Sequence, residues 1–174
     1  MRDWMLPLVF SAIIVVIQAV FAPILAVFSV VPNFIVAFVM VLAVMRQPDT
    51  TYGYAFVLGL ISDLLSHTPV GLTPLLLLIT AFVISRIFEV LDDTSLAMPL
   101  IALAGIMLAF ELVFAIVLMF VGYQGSFIDL FLQRVLPATV LNLIIAAVLF
   151  VIMRRLPFTQ ATNDAWKVDG GSFR

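Results

Sequence analysis

Long apolar runs alternate with short polar breaks along the chain, and that rhythm predicts helices that cross a bilayer one after another. The first run, Met5 to Phe28, follows a charged lead, Met1-Arg2-Asp3-Trp4. Val20-Phe21-Ala22 offers small residues to a signal peptidase, but Pro23 directly after argues against cleavage, so the run reads as a retained span. Ser29 to Pro32 interrupts it, and Pro32 suits the first turn of a second helix with its body at Asn33 to Met45. At about 21 Å, this stretch must thin the bilayer, borrow length from its flanks, or pair with the end of span one as a re-entrant unit. Arg46 to Thr51 is a polar turn in which Asp49 or Thr50 can cap a third span, roughly Thr51 to Ser66. A fourth runs from about Leu72 to Ile87, and a polar loop, Glu89 to Thr94, leads to a fifth, Ser95 to about Gly122. Ser126 and Asp129 have capping-box spacing before Phe127 to Val135, which reads as a short helix lying in the interface. Pro137 then opens a sixth span that closes at Arg154-Arg155.

Composition agrees with that pattern. Of 174 residues, 65% are hydrophobic and only 10% charged, and the mean hydropathy is +1.30, which no water-soluble domain of this length sustains. The apolar runs are continuous rather than strictly alternating, which excludes a transmembrane barrel. The expected class is an all-α polytopic membrane protein with six transmembrane helices over residues 1–155, followed by a polar, disordered cytoplasmic tail over 156–174. A net charge of -2 points away from nucleic acid, and without cysteine there is no thiolate site or disulfide. With six spans, Arg2, Arg46, Arg86, Arg154, Arg155, Lys167 and Arg174 fall on the cytoplasmic side and only Arg134 falls outside, so both termini are expected in the cytoplasm. A hairpin of spans one and two that fails to cross would keep the same charge bias.

The most informative stretch is Gly53 to Pro74. At 3.6 residues per turn, Ala55, Gly59, Ser62, Asp63 and Ser66 share one face, and Phe56, Leu58, Leu60, Ile61, Leu64 and Leu65 cover the rest. A small face lets another backbone approach closely, and a carboxylate at mid-bilayer costs about 2.5 kcal/mol or more unless protein or water receives it. Asp63 is therefore expected inside the protein or at a partner surface, bonded to Arg134 or to a backbone amide. Pro69 and Gly71 then break the helix. Glu111 lies near the middle of span five, either as a functional carboxyl or as a protonated one hydrogen-bonded to a neighbouring backbone, and without an evident cationic partner it is expected to be largely protonated at neutral pH; Asn142 reads as an interhelical hydrogen bonder. The expected partner or interhelical contacts are thus Asp63, Gly59, Ser62, Gly71, Arg134 and Glu111.

Enzyme chemistry has little to stand on. His67 is the lone histidine, so a helical metal pair is impossible, and neither a G-x-S-x-G elbow nor a phosphate-binding loop is present. Asp63 and Glu111 sit at different depths, which argues against a paired-carboxylate site. No enzyme activity, cofactor or metal is expected.

The run Val31-Pro32-Asn33-Phe34-Ile35, the Arg46-Gln47 exit, and the G-x5-G-x3-D-x7-G spacing from Gly53 to Gly71 resemble the bacterial rod shape-determining MreD family. Val31 stands where members of that family often carry a basic residue. The resemblance implies a non-enzymatic inner-membrane scaffold of the cell-elongation machinery. Such a scaffold would bind the bitopic protein MreC and help couple MreB filaments to peptidoglycan synthases. It also implies a six-helix fold similar to the substrate-binding components of energy-coupling-factor transporters. The alternative from another class is a small-molecule, vitamin-like binding component of a membrane transporter, which would line a cavity with outer polar and aromatic groups. Here Asp63, His67, Tyr123, Gln124 and Arg134 are the main candidates.

Overall fold

A computed structural model describes residues 2–26, 30–45, 48–66, 69–88, 97–122 and 125–155. The expected tail, the turn at Arg46-Gln47, His67, the Glu89 to Thr94 loop and Tyr123-Gln124 lie outside these residues. Every regular element among the described residues is a helix: α1 (Arg2–Val20), α2 (Phe34–Met45), α3 (Pro48–Leu65), α4 (Leu72–Phe88), α5 (Ala97–Phe120), α6 (Phe127–Leu130), a π-helical turn (Phe131–Val135) and α7 (Leu136–Arg155). Among the described residues, two stretches are long and apolar enough to cross a membrane, Pro99–Phe120 and Phe127–Arg155, and four shorter apolar helices accompany them.

The short helix α2 is the centre of the bundle. Its sequence, FIVAFVMVLAVM, has no polar face, and a helix that is hydrophobic all round must be enclosed by protein or lipid. Here protein encloses it: Ile35 through Ala43 are all buried, and α1, α3, α4 and α7 pack around it. A helix of 12 residues is about 18 Å long, too short to cross hydrocarbon exposed. Walled in by neighbours, it makes no lipid contact along its body and incurs no mismatch there. The surrounding helices show the reverse pattern. Leu8 and Val16 on α1, Leu64 on α3, Leu75 on α4, Ile101 and Phe120 on α5, and Ile144 and Val148 on α7 point outward.

Four hydroxyls within the apolar helices are satisfied locally. Ser11, Thr80, Ser85 and Thr139 each donate to the carbonyl four residues earlier, at 2.6 to 2.8 Å, so they add no demand on neighbouring helices.

Several boundaries depart from the sequence pattern. α1 stops at Val20 and gives way to turns over 21–25, well before Phe28. α3 begins at Pro48, a residue suited to a first helical turn, so Asp49 and Thr50 lie inside that turn instead of before it. Residues 127–155 form one helical run instead of an interfacial helix followed by a separate span. Ser126 makes no side-chain cap. The run continues because the chain widens before Pro137: the Leu136 N–H donates to the Phe131 carbonyl, five residues back. Pro137 has no N–H for an ordinary i−4 bond, and the wide turn accommodates it without ending the helix.

Candidate functional site

Two polar assemblies lie at the end of the bundle where α1 and α3 stop and α2 and α4 start. The first joins α3 to α4. Asp63 is 2% exposed, and its Oδ2 accepts the backbone N–H of Gly71 at 2.7 Å and of Thr73 at 3.2 Å. A helix leaves its first N–H groups without intrahelical partners and carries partial positive charge there. Asp63 reaches across from α3 to satisfy the start of α4. The route between them requires Gly71, whose φ of 101° lies in the left-handed region. One turn below, Gly59 allows the helices to touch: a Cβ on it would stand 2.5 Å from Pro74 Cα and 2.8 Å from Pro74 N. The small face of α3 is thus filled by α4 of the same chain. Gly53 plays no such part, since a Cβ there would meet nothing within 4 Å.

The second assembly covers the start of α2. The Phe34 N–H donates to Gln18 Oε1 at 2.7 Å, the Asn33 N–H to Asn142 Oδ1 at 2.7 Å, and the Val36 N–H to the Asn33 side chain at 3.1 Å. Gln18 Nε2 donates in turn to the Pro32 carbonyl at 3.4 Å, and Asn33 Nδ2 donates to Ser62 Oγ at 3.2 Å. Irregular backbone at membrane depth is tolerated only where protein or a water-filled cavity receives its polar groups. Here three side-chain carbonyls, from α1, α7 and Asn33 just before the helix, receive them. Asn142 has a second role: its Nδ2 donates to Glu111 Oε1 at 2.9 Å. The chain of bonds therefore links α1, α2, α3, α5 and α7.

Above this network is a cavity of about 670 Å³, whose lining includes Gln18, Asn33, Phe110, Glu111, Asp129, Arg134 and Asn142. The π-helical turn carries Arg134 to its wall, where the guanidinium lies 5.3 Å from the centroid of the Phe114 ring, within cation–π range. Phe110 and Phe114 stack with centroids 6.3 Å apart. Among the described residues no group of His, Asp or Glu has the arrangement of a metal site.

The family model of the rod shape-determining protein MreD matches residues 1–158. The chain belongs to the MreD family. It is therefore a membrane protein of a family that determines rod shape, and that family is structural in its known role. Among curated proteins it is also similar to a probable tryptophan transport protein of Clostridium acetobutylicum, 26% identical over 152 residues, which cover 84% of this chain and 88% of that one. No solved structure matches the chain.

Of the six residues expected at contacts, Gly59, Asp63 and Gly71 meet in the α3–α4 hairpin, Ser62 faces Asn33, and Glu111 and Arg134 line the cavity. Asp63 and Arg134 belong to different assemblies. Gln18 had no sequence argument behind it, and Asn33 had none beyond its place after Pro32. The one available signal was an amide side chain standing alone in an apolar run, which at membrane depth needs a partner.

Proposed function

We propose that the chain is a non-enzymatic inner-membrane scaffold subunit of the cell-elongation machinery. It binds an MreC-like bitopic protein and, through it, helps couple MreB filaments to peptidoglycan synthesis. The family match over residues 1–158 carries this reading. In it the chain crosses the membrane six times with both termini cytoplasmic. Support comes from the two long and four shorter apolar helices and from the basic ends of α4 (Arg86) and α7 (Arg154, Arg155), read with the positive-inside rule. The cavity then opens on the outer side. Gly59, Ser62, Asp63 and Gly71 serve the scaffold by holding its helices in place, which leaves the outward apolar faces for the partner helix. Purification of the tagged protein from native membranes tests the reading: a co-eluting bitopic MreC-like chain is expected, and a coupling ATPase pair in its place would overturn it. Reporter fusions after Thr68 and Gln124 should report the outside, and fusions after Asp92 and Arg155 the cytoplasm.

A second reading, a small-molecule binding component of a transporter with the six-helix architecture of energy-coupling-factor substrate subunits, has two observations in its favour. One is the polar cavity of about 670 Å³, within the usual range for small-molecule sites. The other is the likeness to a protein named for tryptophan transport, along most of both chains.

A further inference from the structure

The cavity is lined by an acidic and a basic side chain that do not meet among the described contacts. Glu111 is tied through Oε1 to Asn142, and Arg134 rests against the Phe114 ring. Both side chains line the same cavity, yet no ion pair between them is among the described contacts. Asp129 adds an exposed second carboxylate, and the stacked Phe110 and Phe114 supply an apolar wall. An acid and a base lining one cavity gain by pairing, and each that stays apart there is left with incomplete compensation. Separate anchors, an amide for one and an aromatic face for the other, keep these two from collapsing together. A ligand with a single charge would satisfy one wall and face repulsion or an unpaired charge at the other. A neutral apolar ligand would strand both.

We propose that this cavity binds a zwitterion, with its ammonium group at Glu111 and Asp129, its anionic oxygens at Arg134, and any apolar body against Phe110 and Phe114. The bidentate fork of Arg134 suits a carboxylate or a phosphate equally. The same chemistry has two sources: a free amino acid with an aromatic side chain, or the headgroup of phosphatidylethanolamine entering from the bilayer. The inference rests on the second reading above only in treating the cavity as a ligand site. A scaffold subunit can hold a zwitterionic lipid in the same place, so partner capture and ligand binding can fail independently.

The test uses the full chain in phosphatidylglycerol nanodiscs, which contain no zwitterion. L-Phenylalanine, phenethylamine and 3-phenylpropionate are titrated by calorimetry, and thermal melting is followed in parallel. A second set of discs contains phosphatidylethanolamine, and lipid retained through detergent exchange is identified by mass spectrometry. Either saturable L-phenylalanine binding, at least about tenfold tighter than either singly charged analogue, or selective retention of phosphatidylethanolamine with a raised melting temperature is expected. Arg134→Gln and Glu111→Gln should each weaken that binding by about tenfold or more while keeping the gel-filtration profile. Glu111→Gln preserves an acceptor for Asn142, so its fold has no reason to fail. Three results would overturn the inference in folded protein: no binding of either zwitterion, equal binding of an analogue that lacks one charge, or binding indifferent to both substitutions.

Discussion

The α3–α4 hairpin and the cavity each contain one buried carboxylate, and the two are used in opposite ways. Asp63 gives its Oδ2 to the amides of Gly71 and Thr73, eight and ten residues along the chain. Glu111 receives its one described hydrogen bond from Asn142, 31 residues away, and lines open space. The first is a closed, local device that sets how a helix begins. The second stands at the end of a long-range network, facing a volume large enough for a ligand. A carboxylate at membrane depth is therefore not by itself a functional residue; what decides is whether the chain's own backbone already satisfies it.

Substitutions can sharpen or break that contrast. The largest loss is expected from Gly59→Ala, about 3 kcal/mol by chemical or thermal unfolding in detergent, because the added Cβ meets Pro74 backbone that cannot step aside. A near-neutral result would mean that α3 and α4 do not pack this closely. Asn142→Leu comes next, at about 2 to 3 kcal/mol, since it strands both the Asn33 N–H and one oxygen of Glu111. Asp63→Ala should cost about 2 kcal/mol, and Asp63→Asn about half as much because an amide oxygen still accepts the two N–H bonds. If Asp63→Ala instead left the melting temperature unchanged and abolished partner co-purification, the carboxylate would belong to an interface. Gly71→Ala is the mildest, about 1 kcal/mol, the cost of placing a Cβ at a positive φ.

The hairpin was legible in the sequence for a physical reason. Its parts, from Gly59 to Pro74, lie within 16 residues of one another, so a glycine for close approach, an acid that needs a partner and a helix-breaking glycine stand together in one short stretch. The cavity was not legible, because its bonds join positions as far apart as Asn33 and Asn142, 109 residues, and helical periodicity carries no information across that distance. The central place of α2 was hidden as well. In a membrane chain an all-apolar helix can face lipid or other helices, and hydrophobicity does not distinguish the two. Pro137 was read as the start of a span because proline favours first turns. The preceding π-helical turn, which lets the helix run through it and carries Arg134 to the cavity, has no periodic signature.

The separation of the two assemblies is tested most directly by a double-mutant cycle of Asp63→Ala with Arg134→Ala, scored by unfolding in detergent. Because Asp63 caps α4 and Arg134 lies against Phe114, the two losses should add to within about 0.5 kcal/mol. A coupling energy above about 1 kcal/mol would contradict the account and place both charges in one site.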